Sequence, residues 1–164
     1  MAALVTIGVY DWTLEEFLGA LRRADVRQLL DLRQRRGVRG SQYAWANSKR
    51  LQAALAEAGI EYEHLPWLAP TTELRHLQYA EDARRGVGKR SRVELAPEYV
   101  RRYTAEVLDG ADLAPLVERA PFVLLCVERD PEACHRSLVA ARIASQFGLA
   151  VEHLRPALTA SQSS

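Results

Sequence analysis

Five side chains able to do chemistry stand within eleven residues of one another: Cys126, Glu128, Cys134, His135 and Arg136, all in the segment FVLLCVERDPEACHRS over residues 122–137. A carboxylate or imidazole carries protons, a thiolate attacks electrophiles and a guanidinium holds anions, so the set suits hydrolysis or group transfer. The spacing adds direction. The apolar run 122–127 reads as a buried strand that delivers Glu128 at its C-terminal end, with Cys126 on the same face roughly 7 Å away. Asp130-Pro131 then starts a helix whose first turn holds Cys134, where the positive helix end and Arg136 lower the thiol pKa. His135 beside it is a candidate acid/base. Arg136 and Ser137, at the exposed N–H groups of the helix start, are candidate anion contacts. Cys126, inside the strand, reads as a small buried hydrophobe.

The elements that must position these groups show in the hydrophobic period and the punctuation. Residues 4–9 predict a first strand ending near Gly8, and Thr13-x-x-Glu16 is a capping box for a helix with Leu14, Phe17, Leu18 and Leu21 on one face. Residues 27–33 predict a second strand. Asn47 or Ser48 caps a second helix bearing Leu51 and Leu55, which Gly59 ends. Residues 60–65 predict a third strand closed by Pro66. Pro97 suits the first turn of a helix carrying Tyr99, Val100, Tyr103 and Val107. Residues 135–147 predict a last helix capped by Gly148, and 150–154 a short fifth strand. Strands alternating with helices, several of them continuously apolar, argue for an α/β fold. The expectation is a single three-layer domain with a mostly parallel, about five-stranded sheet covered by helices on both faces. It should span residues 1–158, with a helical, basic excursion at about 69–95 and a flexible tail at 159–164.

In an open parallel sheet, ligands bind beyond the carboxyl ends of the strands. Gly8, Asp31, Arg33, His64 and Glu128 all fall at such ends, and a missing side chain at Gly8 lets a ligand approach the backbone. Asp31 and His64 are candidate catalytic groups and Arg33 a candidate phosphate contact. Asp31 with Arg33 fits a structural ion pair equally well, and His64 fits a hydrogen-bonded core residue.

Net charge is only +1, but residues 32–56 and 83–93 contain no acid. The first run holds Arg33, Arg35, Arg36, Arg39, Lys49 and Arg50; the second holds Arg84, Arg85, Lys89, Arg90 and Arg92. Two basic loops on a near-neutral chain fit a local polyanion site or a solvated surface. Tyr43 and Trp45 beside the first are candidate stacking platforms for bases. No apolar run approaches the ~20 residues of a membrane span, and two cysteines give no disulfide framework, so a cytoplasmic location is expected. G-x-G-x-x-G does not follow the first strand, and neither a phosphate-binding G-x-x-x-x-G-K-[ST] loop nor a cysteine-phosphatase loop is present. Cys126, Cys134 and His135 have zinc-ligand chemistry, yet no C-x-x-C pair accompanies them. The expectation is no metal and no cofactor.

The pattern Cys126-x-Glu128-x-x-Pro131-x-x-Cys134-His135-Arg136-Ser137 occurs with Thr6-Ile7-Gly8, Asp31-Leu32-Arg33 and Tyr62-x-His64-Leu65-Pro66. Together these resemble the bacterial and archaeal "domain of unknown function 488" family. The likeness runs from about Val5 to Leu154. Many members of that family carry His-Ser after Thr-Ile-Gly, where this chain has Val9 and Tyr10, and Gly where it has Ala69. The resemblance implies the fold and the site without implying a reaction. The arginine-rich run 33–40 fits a subgroup with its own substrate.

These readings converge on an enzyme of hydrolase or transferase type acting on a phosphate-bearing, nucleotide-like or nucleic-acid substrate. Arg33, Arg36 and Arg136 would hold phosphate, Glu128 or Asp31 would move protons and Cys134 would be the nucleophile. The alternatives are a non-catalytic nucleic-acid-binding module and a thiol-redox or metal-binding protein. Residue chemistry leaves the oligomeric state open.

Overall fold

A computed structural model describes residues 2–88 and 91–157. The tail at 159–164, and Lys89 and Arg90 of the second basic run, lie outside the described residues. Five strands form one all-parallel sheet: β1 (Leu4–Ile7), β2 (Gln28–Asp31), β3 (Glu61–His64), β4 (Phe122–Leu125) and β5 (Val151–His153), in the order β3-β2-β4-β1-β5. β4 is central, with Leu125 aligned to Ile7 of β1 and to Asp31 of β2. Backbone pairing continues past the strand ends, where Leu32 N–H donates to Leu125 O (2.9 Å) and Cys126 N–H to Ile7 O (3.2 Å).

Alternation along the strands divides the core in two. Val5, Ile7, Leu29, Val123 and Leu125 face α1 (Leu14–Arg23) and α2 (Ser48–Glu57), meeting Phe17, Leu21, Leu51 and Leu55. Leu4, Leu30, Phe122 and Leu124 face the other layer, built from α3 (Thr72–Arg84), α4 (Pro97–Tyr103), the short α5 (Ala114–Val117) and α6 (His135–Phe147). Crossovers from β1 to β2 and β2 to β3 run one way across the sheet, and those to β4 and β5 run back. Right-handed connections therefore place their helices on opposite faces.

The expected punctuation is in place. The Thr13 hydroxyl accepts the Glu16 N–H while the Glu16 carboxylate accepts the Thr13 N–H, closing the capping box of α1. Gly148 ends α6 in the left-handed conformation, φ 68°. Asn47 caps α2 in position only; its side-chain oxygen accepts the Val38 N–H at 2.8 Å, tying down the arginine-rich loop instead. The strands are shorter than expected by a few residues, and one boundary moves a candidate residue. Asp130-Pro131 opens a separate 3₁₀ turn (Pro131–Ala133), so Cys134 is the extended N-cap of α6 and not part of its first turn. No helix among the described residues is long and apolar enough to cross a membrane.

Candidate active site

β2 and β4 are neighbours whose chains leave toward opposite faces, β2 to α2 and β4 to α6, which opens a crevice between their C-terminal ends. A cleft of about 800 Å³ lies there. Its floor is Cys126, Glu128, Cys134 and His135. The loop after β2 supplies one wall with Gln34, Arg35 and Arg39, and the excursion supplies the other with Arg75, Gln78, Tyr79 and Arg92.

Arg92 locks that second wall to the floor. Its guanidinium is bidentate on Asp82 (Nη2 to Oδ2 2.7 Å) and also donates to Ala133 O at 3.1 Å and to Glu128 Oε1 at 3.4 Å. Gln78 holds Asp82 from the far side, donating to Oδ1 at 2.9 Å while accepting the Ala96 N–H. Burial opposes the charge on Arg92, but the carboxylates of Asp82 and Glu128 outweigh it.

On the floor, the His135 ring sits between the two thiols. Nε2 donates to Leu32 O at 2.9 Å, because a carbonyl only accepts, so the Nδ1 edge faces Cys126 Sγ at 3.4 Å and Cys134 Sγ at 3.8 Å. Cys126 Sγ lies 3.6 Å from Glu128 Oε2. The two thiols titrate in opposite directions. Burial pushes Cys126 up, helped by its neighbours Cys134 and Glu128. For Cys134 burial acts upward too, but the Cys126 hydrogen bond, the His135 ring and Arg136 together hold it well below the usual thiol range. His135 is raised, the Cys134 thiolate and the Leu32 carbonyl overcoming its desolvation. Both directions favour charge on the two side chains, a Cys134 thiolate beside a His135 imidazolium.

The family model described as "Domain of unknown function DUF488" matches residues 13–143, from the cap of α1 into the body of α6, enclosing every group on the cleft floor. The chain belongs to the DUF488 family. No curated protein and no solved structure matches it.

Several residues singled out from the sequence have other work in this DUF488 chain. Arg33 and Asp31 are fully enclosed and bidentate (Nε–Oδ1 2.9 Å, Nη2–Oδ2 2.8 Å), with Arg33 Nη1 on Ala46 O and the Tyr62 hydroxyl on Asp31 Oδ2 at 2.6 Å. They form a structural ion pair, and Asp31 has no open face on which to accept a proton. Arg136 is equally buried. It donates to Glu128 O at 2.5 Å, Arg129 O at 3.0 Å and Thr6 Oγ1 at 3.3 Å, bolting the turn after β4 to β1 instead of holding an anion. Gly8 is bare because a Cβ there would overlap the Glu128 carbonyl; the space belongs to the neighbouring chain, not to a ligand.

His64 Nε2 bonds to Arg33 O at 2.7 Å, the Ser137 hydroxyl caps Cys134 O at 2.9 Å, and neither lines the cleft. Arg36 lies outside it as well, half-buried against the Tyr62 hydroxyl. Tyr43 is buried and Trp45 half-buried, which leaves little ring face for a base to stack on. A 3₁₀ turn (Ser41–Ala46) aims them inward, Tyr43 onto Tyr10 and Trp45 onto Phe17. In the second basic run Arg84 and Arg85 pair with Glu81, and Arg85 also with Glu94, so their charge is largely met locally. Of the expected set, Glu128, Cys134, His135 and Arg33 line the cleft, Arg33 with its guanidinium already committed to Asp31 and Ala46 O; Arg35, Arg75, Tyr79, Arg92 and Cys126 join them.

Proposed function

We propose that the cleft is the active site of a hydrolase or group-transfer enzyme acting on a phosphate-bearing, nucleotide-like or nucleic-acid substrate. One observation carries this reading: a carboxylate and a Cys–His pair share the floor of a cleft whose rim bears Arg35, Arg39 and Arg75. Arg35 is exposed and makes no hydrogen bond or ion pair among the described residues, so its donors are available to an anion. Arg75 lies over the Tyr79 ring, 5.6 Å from its centroid, and donates to Gln34 Oε1 and the Tyr79 hydroxyl, which holds its positive charge at the rim where an anion would approach. Glu128 then moves protons, and Cys134 with His135 supplies a nucleophile and its partner. The binding-module alternative used the two basic loops with Tyr43 and Trp45 as stacking platforms, and the inward packing of the two aromatic residues weakens it.

Melting temperature followed against nucleoside phosphates, sugar phosphates and short oligonucleotides tests the proposal. A ligand at 100 times its Kd stabilises a folded site by about 2.7 kcal/mol. Arg35→Ala combined with Arg75→Ala should weaken such a ligand by about tenfold per lost charged contact. If no phosphate-bearing compound stabilises the wild-type chain, the reading fails.

A further inference from the structure

The trio on the cleft floor has a property that neither the acid/base nor the nucleophile assignment uses. Cys126 Sγ, Cys134 Sγ and a ring nitrogen of His135 all lie within 4.8 Å of one another, and no other group of three Cys, His, Asp or Glu converges in this way among the described residues. A tetrahedral zinc with Zn–S near ~2.3 Å and Zn–N near ~2.0 Å has S···N edges of about 3.5 Å. The observed Sγ···Nδ1 separations are 3.4 and 3.8 Å. The imidazole is also oriented as a metal ligand requires. Nε2–H is committed to the Leu32 carbonyl, so the proton that a metal ion displaces is the one on Nδ1, and the lone pair it uncovers points toward the sulfurs. The ligands come from rigid places: the end of the central strand for Cys126, the cap and first residue of a 13-residue helix for Cys134 and His135.

We propose that Cys126, Cys134 and His135 bind a zinc-class divalent ion that keeps one coordination position open to the cleft. Two thiolates and one imidazole select this class over calcium or magnesium, which take oxygen ligands. Three protein ligands with a fourth position open is the arrangement of catalytic zinc, where structural sites use four. All three residues line the cleft, so the remaining position opens into it. A bound cation also balances the two thiolates that ligation creates in an enclosed site. Glu128 stands just outside the ligand set, its Oε2 3.6 Å from Cys126 Sγ, and remains available for proton transfer. Ion binding stands on the three ligands alone; its use as a Lewis acid rests on the enzyme reading above, with Glu128 moving protons and the ion taking the place of the Cys134–His135 nucleophile pair.

The test is a titration of the reduced, metal-free chain with Zn²⁺ alone and Co²⁺ alone. Binding should saturate at about one equivalent, and Co²⁺ should give tetrahedral ligand-field bands with a thiolate charge-transfer band. Cys126→Ser and Cys134→Ser should each remove about half of that band, and His135→Ala should weaken Zn²⁺ by ~100-fold or more. Because these variants can lose stability, the wild-type chain supplies a second readout. Zn²⁺ should protect both cysteines from alkylation under native conditions, and a chelator should restore the reaction. Reduced, folded protein that takes up no Zn²⁺ overturns the proposal, as does a Co²⁺ band that survives in the Cys126→Ser, Cys134→Ser double variant. Zinc binding without any phosphate-ligand stabilisation of the zinc-loaded chain would instead overturn the substrate reading and leave the metal site standing.

Discussion

Replacing Arg136 removes three hydrogen bonds at once and takes the Arg136 donor from the buried Glu128 carbonyl. Arg136→Met should therefore cost about 3 kcal/mol, read as a fall in the urea midpoint. Arg136→Lys should not recover it, since an ammonium lacks the fork that spans two carbonyls. Asp31→Asn strands the enclosed Arg33 charge and should cost ~3–5 kcal/mol by the same measurement. Glu128→Gln is the contrasting case. Its pairing with Arg92 is long, and Arg92 keeps both Asp82 and Ala133 O, so the midpoint should change by less than the equivalent of about 1 kcal/mol. Turnover, in contrast, should fall by ~10²–10⁴ because an amide cannot take a proton. A Glu128→Gln chain that melts early yet turns over normally would make this carboxylate a structural partner of Arg92.

At the level of elements, Gly8→Ala forces the end of β1 away from the turn after β4. It should cost about 1–3 kcal/mol and lower the melting temperature while moving Glu128 on the cleft floor. The loop after β2 behaves oppositely. Arg35→Ala should leave stability within about 0.5 kcal/mol, yet weaken a polyanionic ligand and flatten the salt dependence of its binding. The difference between these elements is also the difference between what was and was not legible in the sequence. β4 announces itself by a continuous apolar run, β1 by one that only Thr6 interrupts, and α1 because its box and stripe agree. α3 offers no such stripe: its inward positions include Gln78 and Asp82, polar groups that satisfy each other and Arg92. The excursion could be located but not described, and Arg92 stayed one arginine among several. Tyr43 and Trp45 misled for the reverse reason: their basic setting gives no hint of the turn that faces them inward. The ligand trio was nameable but not recognisable. Its spacing matches no motif, and only the juxtaposition of a strand end with a helix cap closes it.

Across the whole molecule, the sheet's far edge gives stability a pH dependence. His153 on β5 shares a 2.6 Å hydrogen bond with Thr6, and burial, then the Arg136 and Arg155 charges, hold its pKa below the ordinary 6.5. The unfolded chain binds the extra proton more readily, so this contribution is whole above about pH 6.5 and is lost as the pH falls through the depressed value. His135, raised in the fold, acts in the opposite sense, so the informative quantity is the difference between wild type and His153→Gln. That difference should narrow as the pH falls from about 7.5 to about 5 in chemical denaturation curves. The strand order has a consequence of another kind. Both partners of β1, β4 and β5, come more than a hundred residues later in the chain, and before β4 emerges only β2 and β3 can pair. During synthesis the apolar segment Leu4–Ile7 must therefore wait unpaired, which makes folding slow, favours late commitment and exposes the nascent chain to chaperones. The strand that ends the wait is the one leading directly into Cys126 and Glu128. The first strand finds its central partner and the cleft floor comes into being in the same event.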